Sequence, residues 1–130
     1  MPNANTTLIR RAFEEFSAGN PQLFFDTMSD DVTYTVIGTT RFSGTKRGRG
    51  DILQNLVLPL TDALEGPIKI IPENVFGDGD FVAMQARGEA RAKSGRDYNN
   101  TYCIVFRFQD GKIAAITEYL DTELVRSALG

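Results

Sequence analysis

The sequence predicts an α+β fold in which three amino-terminal helices pack on a curved antiparallel sheet. Apolar residues in the first half recur at the three- and four-residue spacing of amphipathic helices. The second half holds apolar runs with the two-residue alternation of strands, separated by glycine-containing turn signals. A chain of 130 residues holds one hydrophobic core and not two, so we expect a single domain over residues 1–130.

The first two helices are short and have clear limits. The first begins with a cap at Asn5 or Thr6, buries one apolar stripe and ends at Gly19. The second follows Asn20-Pro21, because proline is favoured at the first position of a helix. It is expected to end near residue 29.

A first strand, a basic segment and a third helix come next. The segment VTYTVI alternates as a strand, and RFSGTKRGRG follows it with four cations, Arg41, Lys46, Arg47 and Arg49. This segment is either a solvated loop before the helix or a funnel that admits an anionic ligand. Asp51 is placed to cap the third helix, and Pro59 should bend it because proline removes a backbone hydrogen bond.

Four further strands are predicted in the second half, and a short helix ends the chain. The strands are IKIIPENVF, FVAMQARGEARA and the two runs of NNTYCIVFRFQDGKIAAITEYLD, and the closing helix is TELVRSAL. Helices at the front and an antiparallel meander behind them define the α+β class, with the sheet wrapped around a helical layer.

Composition excludes several classes of function. Histidine is absent, which removes the usual neutral-pH proton carrier and the commonest transition-metal ligand, so we expect no metal site. The net charge of −3 argues against nucleic-acid binding. No apolar run approaches the ~20 residues that cross a bilayer and the first residues lack an export signal, so we expect a cytoplasmic protein without membrane contact. Cys103 is the single cysteine, so we expect no internal disulfide and a structural role.

The order of elements and the segment NNTYCIVFRFQDGKIAAITEYLDT resemble the SnoaL-like and ketosteroid-isomerase-like families of the nuclear transport factor 2 superfamily. The resemblance extends over roughly residues 5–125. It implies a cone-shaped, cystatin-like roll with a pocket between the helices and the concave sheet face. It also implies a homodimer that pairs through the outer sheet face, and it identifies the fold better than the function.

The residues that perform steroid isomerisation in the resembled family are absent. The position of the base holds Val36, the position of the tyrosine acid holds Ala12, and the position of the protonated aspartate holds Ile104. Because that reaction needs a carboxylate and hydrogen-bond donors, we do not expect steroid isomerisation by the usual residues.

A second resemblance is to the pocket of limonene-epoxide-hydrolase-like proteins. Tyr34 on the first strand, Arg87 and Glu89 on a middle strand and Glu118 on the last strand match its tyrosine, Arg-x-acid pair and final acid. The resemblance implies that Glu118 and Glu89 form an acid–base pair, that Arg87 bridges them and that Tyr34 is a donor. The chain departs from the pattern because Val36 replaces an asparagine and both acids are Glu instead of Asp.

Whether these charged residues meet depends on two turns. Side chains alternate along a strand, so Arg87 and Glu89 share a face with Gln85. A two-residue loop at 94–95 places Arg87 opposite Tyr102, and a three-residue loop at 109–111 places Glu118 opposite the same residue. A change of one residue in either turn moves Glu118 to the other face.

We choose the arrangement in which the charged residues converge. One face then carries these residues and an apolar wall, and the other face is left for dimer packing: Met84, Ala86, Thr101, Cys103, Val105, Ala115 and Thr117. Glu118 would be a pocket acid whose pKa is raised by desolvation and lowered by Arg87. Asp121 lies beyond the strand and is expected to cap the closing helix.

The leading hypothesis is a small dimeric enzyme without a cofactor, which performs proton transfer or water addition on an apolar organic molecule. Its reaction would be of the isomerase, cyclase, lyase or epoxide-hydrolase type. The expected substrate wall comprises Phe13, Phe16, Val36, Leu56, Leu60, Gln85, Tyr102, Ile104 and Phe106.

Three alternatives stay open. The domain binds a hydrophobic small molecule without turning it over, or it is a dimerisation module whose cavity is filled by side chains. The charged set Arg87, Glu89 and Glu118 can also be a structural ion-pair group, and Tyr34 can be a packing residue.

Overall fold

The computed structural model describes residues 3–130. The elements in chain order are α1 Ala4–Ser17, α2 Gln22–Thr27, β1 Met28–Val36, β2 Gly44–Arg47, α3 Arg49–Ile52, a π-helical segment Leu53–Val57, α4 Leu58–Ala63, β3 Lys69–Asp78, β4 Phe81–Glu89, β5 Thr101–Gln109, β6 Lys112–Leu120 and α5 Thr122–Leu129. Within residues 3–130, no helix combines the length and the apolar character needed to cross a membrane.

The sheet has six strands in the order β2-β1-β6-β5-β4-β3. The predicted α+β class with helices packed on a curved sheet is confirmed. The β1–β6 pair is parallel and the other pairs are antiparallel, so the expectation of an antiparallel sheet is wrong at this one contact. A parallel pair needs a long crossover, and here that connection contains α3, α4 and four other strands, β2 to β5.

The basic segment contains a short strand. β2 pairs with β1, with Lys46 opposite Tyr34, so residues predicted as a loop form the edge of the sheet. The N–H of Gly48 donates to the carbonyl of Val32 over 2.7 Å and ties the end of β2 back to β1.

α1 begins two or three residues earlier than the sequence suggested. Asn3 is the cap, because its side chain accepts the N–H of Thr6 at 2.8 Å while the Thr6 hydroxyl accepts the N–H of Asn3 at 2.9 Å. This reciprocal pair satisfies two backbone donors at the helix start. At the other end of the chain, the predicted cap of α5 is confirmed, since Asp121 accepts the N–H groups of Glu123 and Leu124.

The third helix contains the irregularity expected at Pro59. The N–H of Leu58 donates to the carbonyl of Leu53, five residues back, so the helix widens to a π turn immediately before the proline. This turn accommodates a residue that lacks an N–H and whose ring would crowd the preceding turn of a regular helix. The prediction that Asp51 caps this helix is wrong, because the cap residue is Gly48. Asp51 lies inside the first turn of α3, where its carboxylate accepts the N–H of Arg47 at 2.9 Å.

The hairpin between β4 and β5 has one residue more in its loop than predicted. Ala92 and Arg96 pair across the end, with the Ala92 N–H donating to the Arg96 carbonyl at 2.9 Å, so the loop is residues 93–95. Arg87 therefore pairs with Thr101 instead of Tyr102. Since each one-residue shift exchanges the faces of a strand, β4 presents the opposite face to the helices.

The β5–β6 hairpin also differs from the prediction, but the difference leaves Glu118 on the predicted face. The loop is Asp110-Gly111, both with positive φ (53° and 78°), and a bulge leaves Ala114 without a partner. Glu118 consequently pairs with Ile104, a displacement of two residues from the expected pair with Tyr102. An even displacement keeps Glu118 on the face that carries Tyr102.

The face of the sheet towards the helices is almost fully buried. Its central residues are Tyr34, Val36, Val82, Met84, Ala86, Tyr102, Ile104, Phe106, Ile116 and Glu118. Met84 and Ala86 were predicted on the outer face, and the extra loop residue explains why that prediction is wrong. The outer face carries Thr101, Cys103, Val105, Ala115 and Thr117 as expected.

The turn that sets the register gives a first test. Gly95 has φ of +90° with open space around it, so Gly95→Ala should cost about 1 kcal/mol of unfolding free energy through backbone strain alone. Gly50 also has open space but an ordinary φ in α3, and Gly50→Ala should be neutral or stabilising. Urea denaturation compares the two variants. Equal effects would contradict the assigned loop conformation.

Candidate functional site

A cavity of about 130 Å³ lies between the helices and the buried sheet face. Its polar side chains are Tyr34, Thr61, Tyr98, Tyr102 and Glu118. The rest of the lining is apolar: Phe13, Phe16, Phe24, Phe25, Met28, Ile52, Leu56, Val57, Leu60, Ile68 and Ile70. An apolar cavity with a few convergent polar groups has the lining expected of a small-molecule site.

A larger depression on the surface has a different character. It measures about 760 Å³ between α1 and β3, and its lining combines the charged residues Arg10, Arg11 and Glu14 with threonines and with Val75, Phe76 and Gly77. It is open to solvent and contains no buried titratable group. The smaller internal cavity is therefore the better candidate site.

Aromatic packing gives the cavity its wall. Phe13 of α1 and Phe24 of α2 have ring centroids 4.7 Å apart, and Phe13 also lies 5.8 Å from Phe106 of β5. The helical spacing of Phe13 and Phe16 places both on the buried side of α1. The π turn and α4 supply the opposite wall through Leu56 and Leu60.

Glu118 is the buried carboxylic acid of this wall. Its residue is 9% exposed, and the Tyr34 hydroxyl donates to Oε1 at 2.5 Å. Parallel pairing of β1 and β6 places Val36 beside Glu118 and brings Tyr34, two residues earlier, onto the same face. Within residues 3–130, no Lys or Arg forms an ion pair with Glu118.

Burial controls the proton affinity of this pair. Desolvation raises the pKa of Glu118, and the hydrogen bond from Tyr34 opposes the increase. The pKa of Tyr34 is raised well above its usual value by burial first and by the charge of Glu118 second. Tyr34 therefore stays protonated as a donor, while Glu118 is the group that titrates.

Two more tyrosines line the cavity on the side of β5. Tyr98 is 3% exposed and Tyr102 is 4% exposed. Burial is the main cause that raises the pKa of each of them. Tyr98 was missed by the sequence analysis, although alternation back from Tyr102 through Asn100 places it on the same face.

The predicted site residues fall into three groups. Seven line the cavity: Phe13, Phe16, Tyr34, Leu56, Leu60, Tyr102 and Glu118. Three are buried in the core without lining it: Val36, Ile104 and Phe106. Three lie on the outer face of β4: Gln85, Arg87 and Glu89.

The predicted convergence of Arg87 and Glu89 with Glu118 is wrong. Arg87 donates to Glu89 at 2.6 Å, with their side chains 52% and 47% exposed, and its Nε lies 4.0 Å from Glu73. Gln85 accepts a hydrogen bond from Asn74 on the same outer face. The loop at residues 93–95 causes the difference, because its additional residue turns this face of β4 away from the cavity.

The four cations of the basic segment do not line the cavity in the described part of the chain. Arg49 pairs with Asp30, and the Arg41 guanidinium lies 4.6 Å from the ring centroid of Phe42. The described residues also contain no cluster of His, Cys, Asp and Glu that could hold a metal ion.

Comparison with known proteins identifies the family. The sequence pattern of the SnoaL-like domain matches residues 9–116. The chain belongs to the SnoaL-like domain family. No curated protein matches the chain significantly.

Solved structures share the fold of this SnoaL-like domain. TerC, co-crystallised with polyporic acid, is 19% identical with a TM-score of 0.85, and the match covers 98% of each chain. A protein of cystatin-like fold from Xanthomonas campestris is 22% identical with a TM-score of 0.82, covering 96% of this chain and 98% of the other. A protein assigned as a SnoaL-like polyketide cyclase from Jannaschia sp. CCS1 is 20% identical with a TM-score of 0.77, covering 96% and 90%. These TM-scores establish a common fold.

A close approach in the SnoaL-like domain holds Tyr102 in place. A side chain on Gly88 would meet the Tyr102 ring at 2.8 Å and the backbone N of Asn100 at 3.3 Å. Gly88 therefore lets the ring lie against β4, and its N–H donates to the Asn100 carbonyl at 2.8 Å. This part of the cavity wall depends on the absence of a Cβ atom.

The raised pKa of Glu118 predicts a pH-dependent stability difference. The folded chain binds this proton more tightly than the unfolded chain, so Glu118 lowers stability as pH rises above its unfolded pKa of about 4.3 through its raised folded pKa. Glu118→Gln lacks that titration. We expect its unfolding free energy, relative to the native chain, to increase as the pH rises above about 4.

Thermal and urea denaturation across that pH range measure the difference. Glu89→Gln is the matched control, because it removes a half-exposed carboxylate that solvent screens. A Glu118→Gln variant whose relative stability stays constant with pH would show that Glu118 does not hold its proton more tightly in the fold.

Proposed function

We propose that this SnoaL-like domain is an enzyme that, without a cofactor, moves protons on a small, mostly apolar organic molecule. The observation that carries the proposal is the buried Glu118 carboxyl in an aromatic cavity, held by Tyr34 and without an ion-pair partner among residues 3–130. Catalytic acids and bases need a pKa close to the working pH, and desolvation moves a carboxyl in that direction.

The geometry of Glu118 leaves one oxygen for a substrate. Tyr34 occupies Oε1, and Oε2 accepts no hydrogen bond from residues 3–130. Oε2 is not fully buried, because the described residues contain no buried side-chain oxygen without a partner. Glu118 would take a proton through Oε2 from a carbon next to a carbonyl group and return it at another atom of the same molecule.

The lining supports an apolar substrate with few polar groups. Phe13, Phe16 and Phe24 offer ring surfaces, while hydroxyl groups occur on the opposite sheet wall. Two proteins of the same fold support a small organic ligand, since one is assigned as a SnoaL-like polyketide cyclase and another, TerC, was co-crystallised with polyporic acid. Isomerisation, cyclisation or elimination is favoured over water addition, because Arg87 and Glu89 lie outside the cavity.

Deuterium exchange tests the proposed chemistry. In D2O, the native chain should catalyse exchange of the hydrogens next to the carbonyl of phenylacetone, a small aromatic ketone, as measured by mass spectrometry. Glu118→Gln should lose about 100-fold or more of that rate, the range of general acid–base catalysis. Glu89→Gln should keep it, since its side chain is outside the cavity.

Carbon-13 NMR of the glutamate carboxyl groups completes that experiment. One signal should titrate above the range of ordinary glutamate and be absent in Glu118→Gln, and Tyr34→Phe should raise its pKa further by removing the opposing hydrogen bond. Binding of phenylacetone without exchange would favour the alternative of a non-catalytic binding domain.

We also propose that two copies pair through the outer sheet face. The half-buried Cys103, Val105 and Thr117 lie on this face beside Tyr119, which is 45% exposed. Such a surface offers apolar area with few charges at its centre, as homodimer interfaces do. A single domain over residues 1–130 and a cytoplasmic location complete the proposal.

Sedimentation equilibrium tests the pairing. The native chain should sediment as a dimer, and Val105→Arg should convert it to a monomer because a charge would be buried at the centre of the interface. Leu58→Arg changes another exposed apolar residue, 41% exposed on the helical side, and should remain a dimer. A native monomer would contradict the proposed interface.

A further inference from the structure

Asn100 is a buried amide whose hydrogen bonds are all satisfied by the chain. It is 1% exposed, and its Oδ1 accepts the N–H groups of Thr101 at 2.7 Å and Asp121 at 3.0 Å. Its Nδ2 donates to the Asp121 carbonyl at 3.1 Å and to the Tyr98 hydroxyl at 3.2 Å. Asn100 does not line the cavity, but Tyr98 does.

The backbone fixes which way this amide points. Two backbone N–H groups face Oδ1 and a backbone carbonyl faces Nδ2. If the amide were reversed, its NH2 group would face two other donors and its oxygen would face another acceptor, and these hydrogen bonds would be lost. The Tyr98 oxygen must therefore accept from Asn100. Its own O–H proton remains free to be donated elsewhere.

The cavity is where that proton can be used. Tyr98, Tyr102 and Glu118 line the same space, and the charge of Glu118 is felt by both tyrosines. Burial raises the pKa of Tyr98, but the hydrogen bond from Asn100 opposes the increase. No amide of the described residues donates to the Tyr102 hydroxyl, and the interaction between the two hydroxyls lowers the pKa of Tyr98 and raises that of Tyr102, so Tyr98 is the stronger donor of the two.

We propose that Asn100 is a positioning residue that makes Tyr98 the hydrogen-bond donor to the substrate oxyanion. The inference rests on the proposed function. In the step concerned, Glu118 takes the proton from a carbon next to a carbonyl, and the C–H electron pair forms a carbon–carbon double bond. The carbonyl electron pair moves onto oxygen, and the Tyr98 O–H donates to that enolate oxygen until the proton returns.

The same amide links this donor to the base. Asn100 binds both backbone groups of Asp121, three residues beyond Glu118 at the end of β6. Its carbonyl also accepts the N–H of Gly88 on β4. Asn100 thus holds the wall that carries Tyr98 and the strand that carries Glu118 in one hydrogen-bonded unit.

Two variants separate positioning from general support of the fold. Asn100→Asp keeps an oxygen for the two backbone N–H groups but replaces the donor with an acceptor, so the Tyr98 hydroxyl would turn towards residue 100. Tyr98→Phe removes the donor and leaves Asn100 intact. The double variant tests whether the two residues act as one unit.

Two probes of similar size report the donor directly. 4-Nitrophenol ionises to a phenolate that mimics the enolate oxygen, and its absorbance gives the ionised fraction of the bound probe. Nitrobenzene has no such oxygen and is the control for cavity shape. Both single variants should weaken phenolate binding about 10-fold or more, as loss of a hydrogen bond to a charged group does. Nitrobenzene binding should stay within about 2-fold, and the double variant should equal Tyr98→Phe.

Each other outcome has a definite consequence. Unchanged phenolate binding in either variant, or equal loss of both probes, overturns the positioning role. If Asn100→Asp does not fold, Tyr98→Phe alone still tests whether Tyr98 is the donor to the phenolate. A shift of the Asn100 side-chain amide NMR signals in Tyr98→Phe then tests the hydrogen bond between Asn100 and Tyr98. If Tyr98→Phe exchanges phenylacetone hydrogens at the native rate, only this inference is contradicted. If the native chain binds neither probe, the proposed function is contradicted as well.

Discussion

The carboxyl group of Glu118 lies in a wall of aromatic and aliphatic side chains, where its charged form has lost most of its contact with water. Burying an unpaired carboxylate is costly, and the usual solution is a neighbouring cation. The described chain uses a neutral donor instead, because the Tyr34 hydroxyl is bound directly to the carboxyl. A phenol stabilises the anion less than an arginine does, so Glu118 remains able to accept and release a proton.

The fold positions this group by means of its one parallel strand pair. β1 lies between β2 and the last strand, β6, and its contact with β6 brings Tyr34 next to Glu118 across 84 residues of sequence. The π turn before Pro59 positions cavity residues on the helical side. It lets the third helix continue past a proline while Leu56 and Leu60 both face the cavity.

Sequence patterns were sufficient for the elements and for the helical wall of the site. Helical spacing placed Phe13, Phe16 and Leu56 correctly, because a period of 3.6 residues tolerates small errors in the helix boundary. The prediction of which strand face a side chain occupies has no such tolerance, because a shift of one residue reverses the face. Ser94-Gly95 is compatible with loops of two or three residues, and this single choice moved Arg87 from the cavity to the outer surface.

The remaining strand errors have the same origin. Nothing in KIAAITEY reveals that Ala114 is bulged, and Glu118 kept its face because the loop and the bulge together displaced it by two residues. Tyr98 and Asn100 were predictable in principle from alternation along β5, yet they precede the strand proper. Their role depends on hydrogen bonds to Asp121, which no local pattern contains.

The charge balance of the cavity also limits the kind of reaction that suits it. When Glu118 takes a proton from a neutral carbon acid, one negative charge moves from the carboxylate to the substrate oxygen, and the total charge inside the cavity is unchanged. No further ion has to be desolvated in that step, so neutral hydroxyl donors are adequate partners. A reaction that created a second charge in the same space would need a cation, and Arg87, the cation that the sequence analysis predicted there, lies on the outer face of β4. The arrangement therefore favours relocation of a proton within one molecule over chemistry that separates charge.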